Sequence, residues 1–339
     1  MHIERLDPHH DDAEARLVVD LWNDGITELM PSFPRRTIAE WRAATQSVDM
    51  DIDIVAVRDG DRLIGVAACA VFTDGANESM ALIRLFVAKD RRREGIGTAL
   101  LGAMTDAASD KGRSLLVGDA FDTVPAGAAF AEACGGGAAL VSKTNMLQVA
   151  DIDWGMIERW SEAGPQRAPG YEVFVSEGMY SEEILPSMVD LAMQAMDDMP
   201  FDDLAIETPI LTVDGMREDL ERTLAVYDQL TTVARHIETG KLVGYSELYR
   251  PQSSPDSGLT SITMVAGDHR GHALGKWLKA DLYLAMADRW PEVESIKTEN
   301  AGSNDAMLGI NTELGFVHAY TETAYQAPLE RVQERLARR

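Results

Sequence analysis

Leu82-Ile83-Arg84-Leu85-Phe86-Val87, followed after Ala88-Lys89-Asp90 by Arg91-Arg92-Arg93-Glu94-Gly95-Ile96-Gly97, is the stretch on which the fold turns. The first six residues are an apolar run of strand length. The glycines then open a helix whose apolar residues Ile96, Ala99, Leu100, Ala103, Met104 and Ala107 recur at spacings of three and four. A strand that ends in glycines and opens a helix points unpaired backbone N–H groups at one spot, and the helix dipole adds positive potential there. Glycine lets an anion approach the backbone closely. The arginines bring cationic charge to the same place, so the loop suits a pyrophosphate.

The motif has a sister. Ile262-Thr263-Met264-Val265 runs into Arg270-Gly271-His272-Ala273-Leu274-Gly275, and a second amphipathic helix follows with Leu274, Trp277, Leu278, Leu282, Ala285 and Met286. Upstream of each loop lies a hairpin pattern. The first is Ile54–Val57 and Leu63–Ala67 around Asp59-Gly60-Asp61; the second is Thr232–Ile237 and Leu242–Tyr245 around Thr239-Gly240-Lys241. Downstream of each lie a further strand (114–117 and 295–298) and a short helix ending at Gly135 or Gly315. Gly65 and Gly244 are 179 positions apart, Arg92 and Arg270 178, and Gly135 and Gly315 180. Landmarks in the same order at nearly constant offset describe an internal repeat. The expected division is 1–152, a linker at 153–169, and 170–339. The linker is placed where Glu162-Ala163-Gly164-Pro165 and Ala168-Pro169-Gly170 should break regular structure.

Three nucleotide motifs compete for the loop. A Walker loop needs Gly-x-x-x-x-Gly-Lys-Ser/Thr, which neither copy has. A Rossmann fingerprint needs a third glycine where Leu100 stands and normally follows the first strand of its domain; at least three strand candidates precede this one, although Asp119 lies where a ribose-binding acid would. The remaining option is a family. Arg92-x-x-Gly95-x-Gly97 after a strand resembles the acetyl-CoA loop of the GNAT acetyltransferase superfamily. Arg270 and Gly275 match it too, with Ala273 in place of the first glycine. The second loop, with Asn300, Asn304, Met307, Asn311 and Leu314-Gly315-Phe316, also resembles the C-terminal half of bacterial tandem GNAT proteins, the layout of mycothiol synthase.

The resemblance implies an α/β chain of two tandem GNAT-type domains, each a mixed, mostly antiparallel sheet flanked by helices. It implies acetyl-CoA as acyl donor and direct attack of a small-molecule primary amine on the thioester. The cofactor contacts it implies are Phe86, Val87, Arg92, Arg93, Gly95, Ile96, Gly97 and Thr98 in the first copy. In the second they are Met264, Val265, Arg270, Gly271, His272, Ala273, Gly275 and Lys276, with Asn300 and Asn304. Many relatives carry an acidic tyrosine four residues before the glycine of the Gly-Phe motif; here Ala131 and Asn311 stand there. Glu247, on the same strand face as Tyr245 by alternation, suits a general base or a solvated strand acid. Tyr320 and His318 suit a proton donor to the thiolate or ordinary packing. His269 suits phosphate contact or helix-start packing, as does His272. Asn300 and Asn304 suit capping of the last helix or contact with CoA. The acidic run Asp197–Asp203 suits recruitment of a cation or a charged loop. The second copy, with more polar candidates, is the expected catalytic one. The alternative is a non-catalytic CoA-binding or regulatory protein.

The bulk numbers agree. A formal charge of −25 repels nucleic acid and anionic membranes, and it suits either attraction of a cationic amine or plain solubility in an organism whose proteins run acidic. No apolar run approaches the ~20 residues of a membrane span, and no leader is legible at the N-terminus. Cys69 and Cys134 read as thiols in a reducing cytoplasm. No His/Cys/Asp set has metal-ligand spacing, and the expected state is a monomer or homodimer.

Overall fold

The computed structural model describes residues 1–31, 33–46, 50–208, 210–301 and 305–338, without the side chains of 305 and 306. The strands are β1 (Glu4–Leu6), β2 (Met50–Asp59), β3 (Arg62–Phe72), β4 (Met80–Val87), β5 (Leu115–Phe121), β6 (Gly137–Gln148), β7 (Tyr171–Glu177), β8 (Tyr227–His236), β9 (Leu242–Pro251), β10 (Ser257–Val265), β11 (Ser295–Ala301) and β12 (Val317–Pro328). The helices are α1 (Asp12–Leu29), α2 (Ile38–Thr45), α3 (Ile96–Asp110), α4 (Pro125–Ala133), α5 (Trp154–Arg167), α6 (Leu185–Asp197), α7 (Val213–Leu224), α8 (Leu274–Arg289), α9 (Asp305–Glu313) and α10 (Leu329–Ala337).

The chain divides into two compact units. Unit 1 is Met1–Ser142 with Phe201–Pro209 and Tyr320–Arg339; unit 2 is Lys143–Pro200 with Ile210–Ala319. The last strand and helix of each repeat therefore belong to the other unit. Most of β12, with α10, completes unit 1, and the distal part of β6, with α5, completes unit 2.

In unit 1 the strands run β1-β2-β3-β4-β5-β12. All these pairs are antiparallel except β4 with β5. The β12 register is Glu322↔Phe121 through Pro328↔Leu115. One sheet face packs Ile83 against Ile96, Leu100 and Met104 of α3, with Leu329 and Val332 of α10 in the same cluster. The other face carries α1 and α2 through Val18, Leu21, Trp41 and Val66. Asp11 caps α1 by accepting the amides of Ala13 and Glu14, and Thr37 with Glu40 forms a capping box on α2.

In unit 2 the order is β7-β8-β9-β10-β11-β6, with β10 and β11 parallel. Leu230, Leu248, Leu282 and Tyr283 fill the α8 side, and Tyr180, Leu185, Met188, Tyr245 and Met264 fill the α6 and α7 side.

The stretch expected to break regular structure is instead the helix α5. Asp153 caps it through the Met156 amide, and Pro165 falls in its last turn, where the chain tolerates it. Gly164 has a packing reason: a Cβ there would come 2.2 Å from the Trp277 ring of α8. The glycine read as a breaker is the point of closest helix approach.

Candidate active site

Each unit contains a fork. In unit 1 the parallel pairing of β4 with β5 is recorded for Met80↔Leu115 through Leu82↔Val117. In unit 2, β10 and β11 pair from Ser257↔Ser295 to Thr260↔Thr298. Beyond these residues each strand pair has no further described partners, and the first strand of each pair runs on into its loop.

The loops share one backbone course written in different residues. Arg93 and Gly95 have φ of 69° and 83°, and the equivalent Gly271 and Ala273 have φ of 85° and 59°. Each loop thus holds two left-handed residues, one of them glycine, with the glycine moved from the second place to the first. Ala273 departs from the family motif yet keeps the turn. The departure is strained, because a Cβ in this region is disfavoured by ~1 kcal/mol or more. The first amides to bond back into the helices are Ala99 to Gly95 O at 3.0 Å and Trp277 to Ala273 O at 3.2 Å. The N–H groups before them face the loop mouth. A Cβ on Gly95 or Gly271 would meet nothing within 4 Å, so the space over both loops is open. Helix N-terminal amides with open space above them fit the pyrophosphate of a CoA thioester.

The arginines do something else. Arg92 donates Nε to Val87 O at 3.2 Å and grips Glu28 with both terminal nitrogens, at 3.0 and 2.6 Å. Arg270 repeats the arrangement, with Nε to Val265 O at 2.8 Å and a bond to Asp198 at 2.6 Å. Each arginine fastens its loop to the C-terminal end of a helix, Glu28 lying in the last turn of α1 and Asp198 capping α6. The Arg92 and Lys89 charges hold the Glu28 carboxyl below its ordinary range against the effect of burial. Arg91 is taken by Asp59 and Glu94, and Arg93 is exposed. The forks of Arg92 and Arg270, expected to meet phosphate, bond to carboxylates here.

Other expected contacts also find definite places. Phe86 lies against α1, where a Cβ on Gly25 would come 2.3 Å from its ring. Ile96 is buried under its loop, and Thr98 and Gly97 lie in the first turn of α3. Met264 is in the core beside Tyr245. Lys276 bonds Glu313 at 2.6 Å and lies over the Trp160 ring. His272 rests on Tyr171, whose hydroxyl meets His269 Nδ1 at 2.9 Å. Both histidines thus pack against Tyr171 at the helix start. Asn300 accepts a bond from the buried Asn311 at 2.7 Å, tying β11 to α9 rather than capping the helix. Asn304 lies outside the described residues. His318 is exposed. Tyr320 stands edge-on to Phe121 in unit 1, so the strand exchange takes it out of its own repeat's unit.

Glu247 is the sequence candidate that the structure surrounds with chemistry. The register of β9 against β10 shifts by one residue between Thr260 and Thr263. This bulge lies where the described β10–β11 pairing ends, and Glu247 is directly opposite it. Bulges re-aim backbone and often sit beside active sites. Glu247 Oε1 accepts the Tyr180 hydroxyl at 2.7 Å and Gln229 Nε2 at 3.3 Å, and the Tyr249 hydroxyl bonds the same carboxyl. Gln229 Nε2 also reaches Tyr180 and Thr231, each at 3.1 Å. The Glu247 carboxyl is pushed up to about 7 by burial, with the two tyrosine bonds pulling the other way. Burial and the nearby carboxylate raise Tyr180 and Tyr249 well above the ordinary phenol range. Gln229 Oε1 is buried without a hydrogen-bond partner among the described residues. The site can accept a proton near neutrality and can bind a further N–H donor.

Unit 1 has none of this. At the hairpin offset of 179 set by Gly65 and Gly244, Ala68 and Ala70 stand where unit 2 has Glu247 and Tyr249, and β4 pairs with β3 without a register shift. Its fork is crossed by Arg84 and Asp119, 3.5 Å apart. Burial raises the Asp119 carboxyl, opposed by Arg84.

Sequence reasoning found Glu247 but missed Tyr180, Gln229 and Tyr249. Tyr249 was legible, because it continues the alternation Tyr245, Glu247, Tyr249. Tyr180 and Gln229 were not, because only the fold brings them to the same carboxyl.

Residues 18–135 match the acetyltransferase (GNAT) family model. Over that stretch the first copy is similar to the GNAT acetyltransferases, and the whole chain has the fold of a tandem GNAT protein. It is similar to a tandem GNAT protein from the clavulanic acid biosynthesis pathway at 24% identity and TM-score 0.80, over 97% of this chain and 98% of that one. It is also similar to a GCN5-related N-acetyltransferase from Sphaerobacter thermophilus at 11% identity and TM-score 0.66, over 97% and 95%. No curated protein sequence matches the chain. None of the described helices is long and apolar enough to cross a membrane.

Proposed function

We propose that the chain is an acetyl-CoA-dependent N-acetyltransferase acting on a small amine, with its chemistry in unit 2. The observation that carries this reading is Glu247 opposite the β10 bulge, at the fork above an open amide loop. The amides at the start of α8 hold the pyrophosphate, and the thioester reaches the fork. The amine enters from the α6 and α7 side. The acceptor gives up one ammonium proton to solvent to free its lone pair, and Glu247 accepts a second proton as the nitrogen attacks the thioester carbonyl. Gln229 and the two tyrosines keep the carboxyl oriented. The net charge of −25 favours an acceptor that is cationic in solution. Unit 1 retains the loop but lacks the base, so it binds cofactor or serves as scaffold.

Calorimetric titration with acetyl-CoA, followed by thiol release across a panel of primary amines, tests the reading. Saturable binding and amine-dependent release are expected. No binding at millimolar cofactor would end it. Binding with no release for any amine would favour a regulatory CoA-binding protein instead.

A further inference from the structure

Lys279 is among the buried residues of α8, beside the apolar stripe that spacing marks. It is 1% exposed. Among the described residues its Nζ meets two ring faces, with centroids 5.9 Å away at Tyr283 and 5.8 Å away at Phe316. The equivalent residue in α3 is Leu101, so the repeat packs this slot without an amine. Burying an amine with so little compensation is costly. Burial alone lowers its pKa to about 7.

Its position follows from its neighbours. The Tyr283 hydroxyl lies 3.3 Å from Thr260 Oγ1, and Thr260 is the last described β10 residue paired with β11. The N-terminal end of α8 packs near Val265, and its C-terminal end near Ile296, so the helix runs antiparallel to β10. Lys279 is one turn before Tyr283, about 5 Å along the helix. That distance corresponds to about two strand residues beyond Thr260, which is the level of the bulge. Glu247 thus borders the fork from the α6 side and Lys279 from the α8 side, at the same height. Phe316, whose ring meets Lys279, bonds its N–H to the carbonyl of Asn311, the position where many relatives carry their acidic tyrosine.

We propose that Lys279 is the proton donor to the departing CoA thiolate, in place of the tyrosine replaced by Asn311. The inference rests on the acyltransferase reading of unit 2. The amine nitrogen forms a bond to the thioester carbon, and its proton passes to Glu247. The carbon–sulfur bond then breaks, its electron pair stays on sulfur, and the Lys279 ammonium protonates that sulfur. Afterwards Glu247 returns its proton to solvent and Lys279 takes one back.

The test compares Lys279→Met, Lys279→Arg and Lys279→His by thiol release, acetyl-CoA calorimetry and thermal melting. Methionine suits the apolar slot that Leu101 fills in unit 1, so the melting temperature should hold or rise. The expected result is a kcat roughly 100-fold lower for Lys279→Met and Lys279→Arg, with acetyl-CoA affinity unchanged. Lys279→His, which keeps a donor that titrates near neutrality, should recover part of the loss. Lys279→Met with kcat within about threefold of the parent, or a loss equal in all three variants and matched by lost affinity, would overturn the proposal. A parent enzyme that binds acetyl-CoA but acylates no amine would overturn the acyltransferase reading and this inference with it; an active Lys279→Met overturns only the role of Lys279.

Discussion

The two loops of this chain reach the same backbone course by different means, while the two forks beside them have parted. Arg92 and Arg270 make the same pair of contacts, to a carbonyl five residues back and to an acid at a helix end. Both loops hold two left-handed residues. At the forks, Glu247 and Lys279 of unit 2 correspond in the repeat to Ala68 and Leu101 of unit 1. The difference separates two requirements. Holding an anion takes backbone, which tolerates exchange of Gly95 for Ala273 as long as the glycine moves to Gly271. On the proposed function, moving protons takes particular side chains, here Glu247 and Lys279 of unit 2, where unit 1 has Ala68 and Leu101.

The comparison breaks most visibly at Glu247. Glu247→Gln should lower kcat/KM by roughly 10²–10⁴-fold while acetyl-CoA affinity stays unchanged, as befits loss of a general base. The equivalent change Ala68→Glu should add nothing, because unit 1 lacks the tyrosines and the bulge. Stopped or steady-state thiol release reads both.

A smaller effect is expected in the pH profile. Glu247 must be ionised to accept a proton, so kcat/KM should fall as pH drops through about 7. Tyr180→Phe removes a bond that favours the ionised carboxyl, so that limb should move to higher pH. An acid limb near the ordinary value of 4.5 would contradict the burial argument.

Stability should report the same carboxyl. Its pKa in the folded protein is raised, so its contribution is present below the unfolded value of 4.5 and is lost as pH rises through about 7. Glu247→Gln should therefore melt higher than the parent at pH 8 and lose that advantage at pH 4. The loops should show the smallest effects. Ala273→Gly relieves a left-handed residue and should stabilise by ~1 kcal/mol in denaturant melts. Arg93→Gly should act likewise in unit 1, since Arg93 holds the matching strain without a buried contact.

Much of this was legible in the residues. The repeat, the loops and the helices that follow were marked by glycine and by three-and-four spacing. Glu247 was marked by alternation with Tyr245. The exchange of β12 and β6 between units was not, because a strand's pattern states which face is buried and not which neighbour it pairs with. The α5 helix was hidden behind Gly164 and Pro165, residues that break structure in isolation but here sit at a helix contact and a last turn. Lys279 lies outside the apolar stripe that spacing marks on α8, and only the repeat, which puts Leu101 in its place, points to it in the sequence. The tyrosine bonds to Glu247 come from segments 67 and two residues away along the chain, and only the sheet registers bring the first of them close.

The most direct test of the division between units is a carboxylate placed in each loop. Gly97→Glu and Gly275→Glu occupy equivalent first-turn positions, where a Cβ would make ordinary 3.6 Å contacts, so both variants should fold. Each new charge should repel the pyrophosphate in its own unit. The account predicts that Gly275→Glu loses acetyl-CoA-dependent thiol release by roughly 100-fold or more while Gly97→Glu keeps most of it. Loss in Gly97→Glu with activity retained in Gly275→Glu would place the chemistry in unit 1 and contradict it.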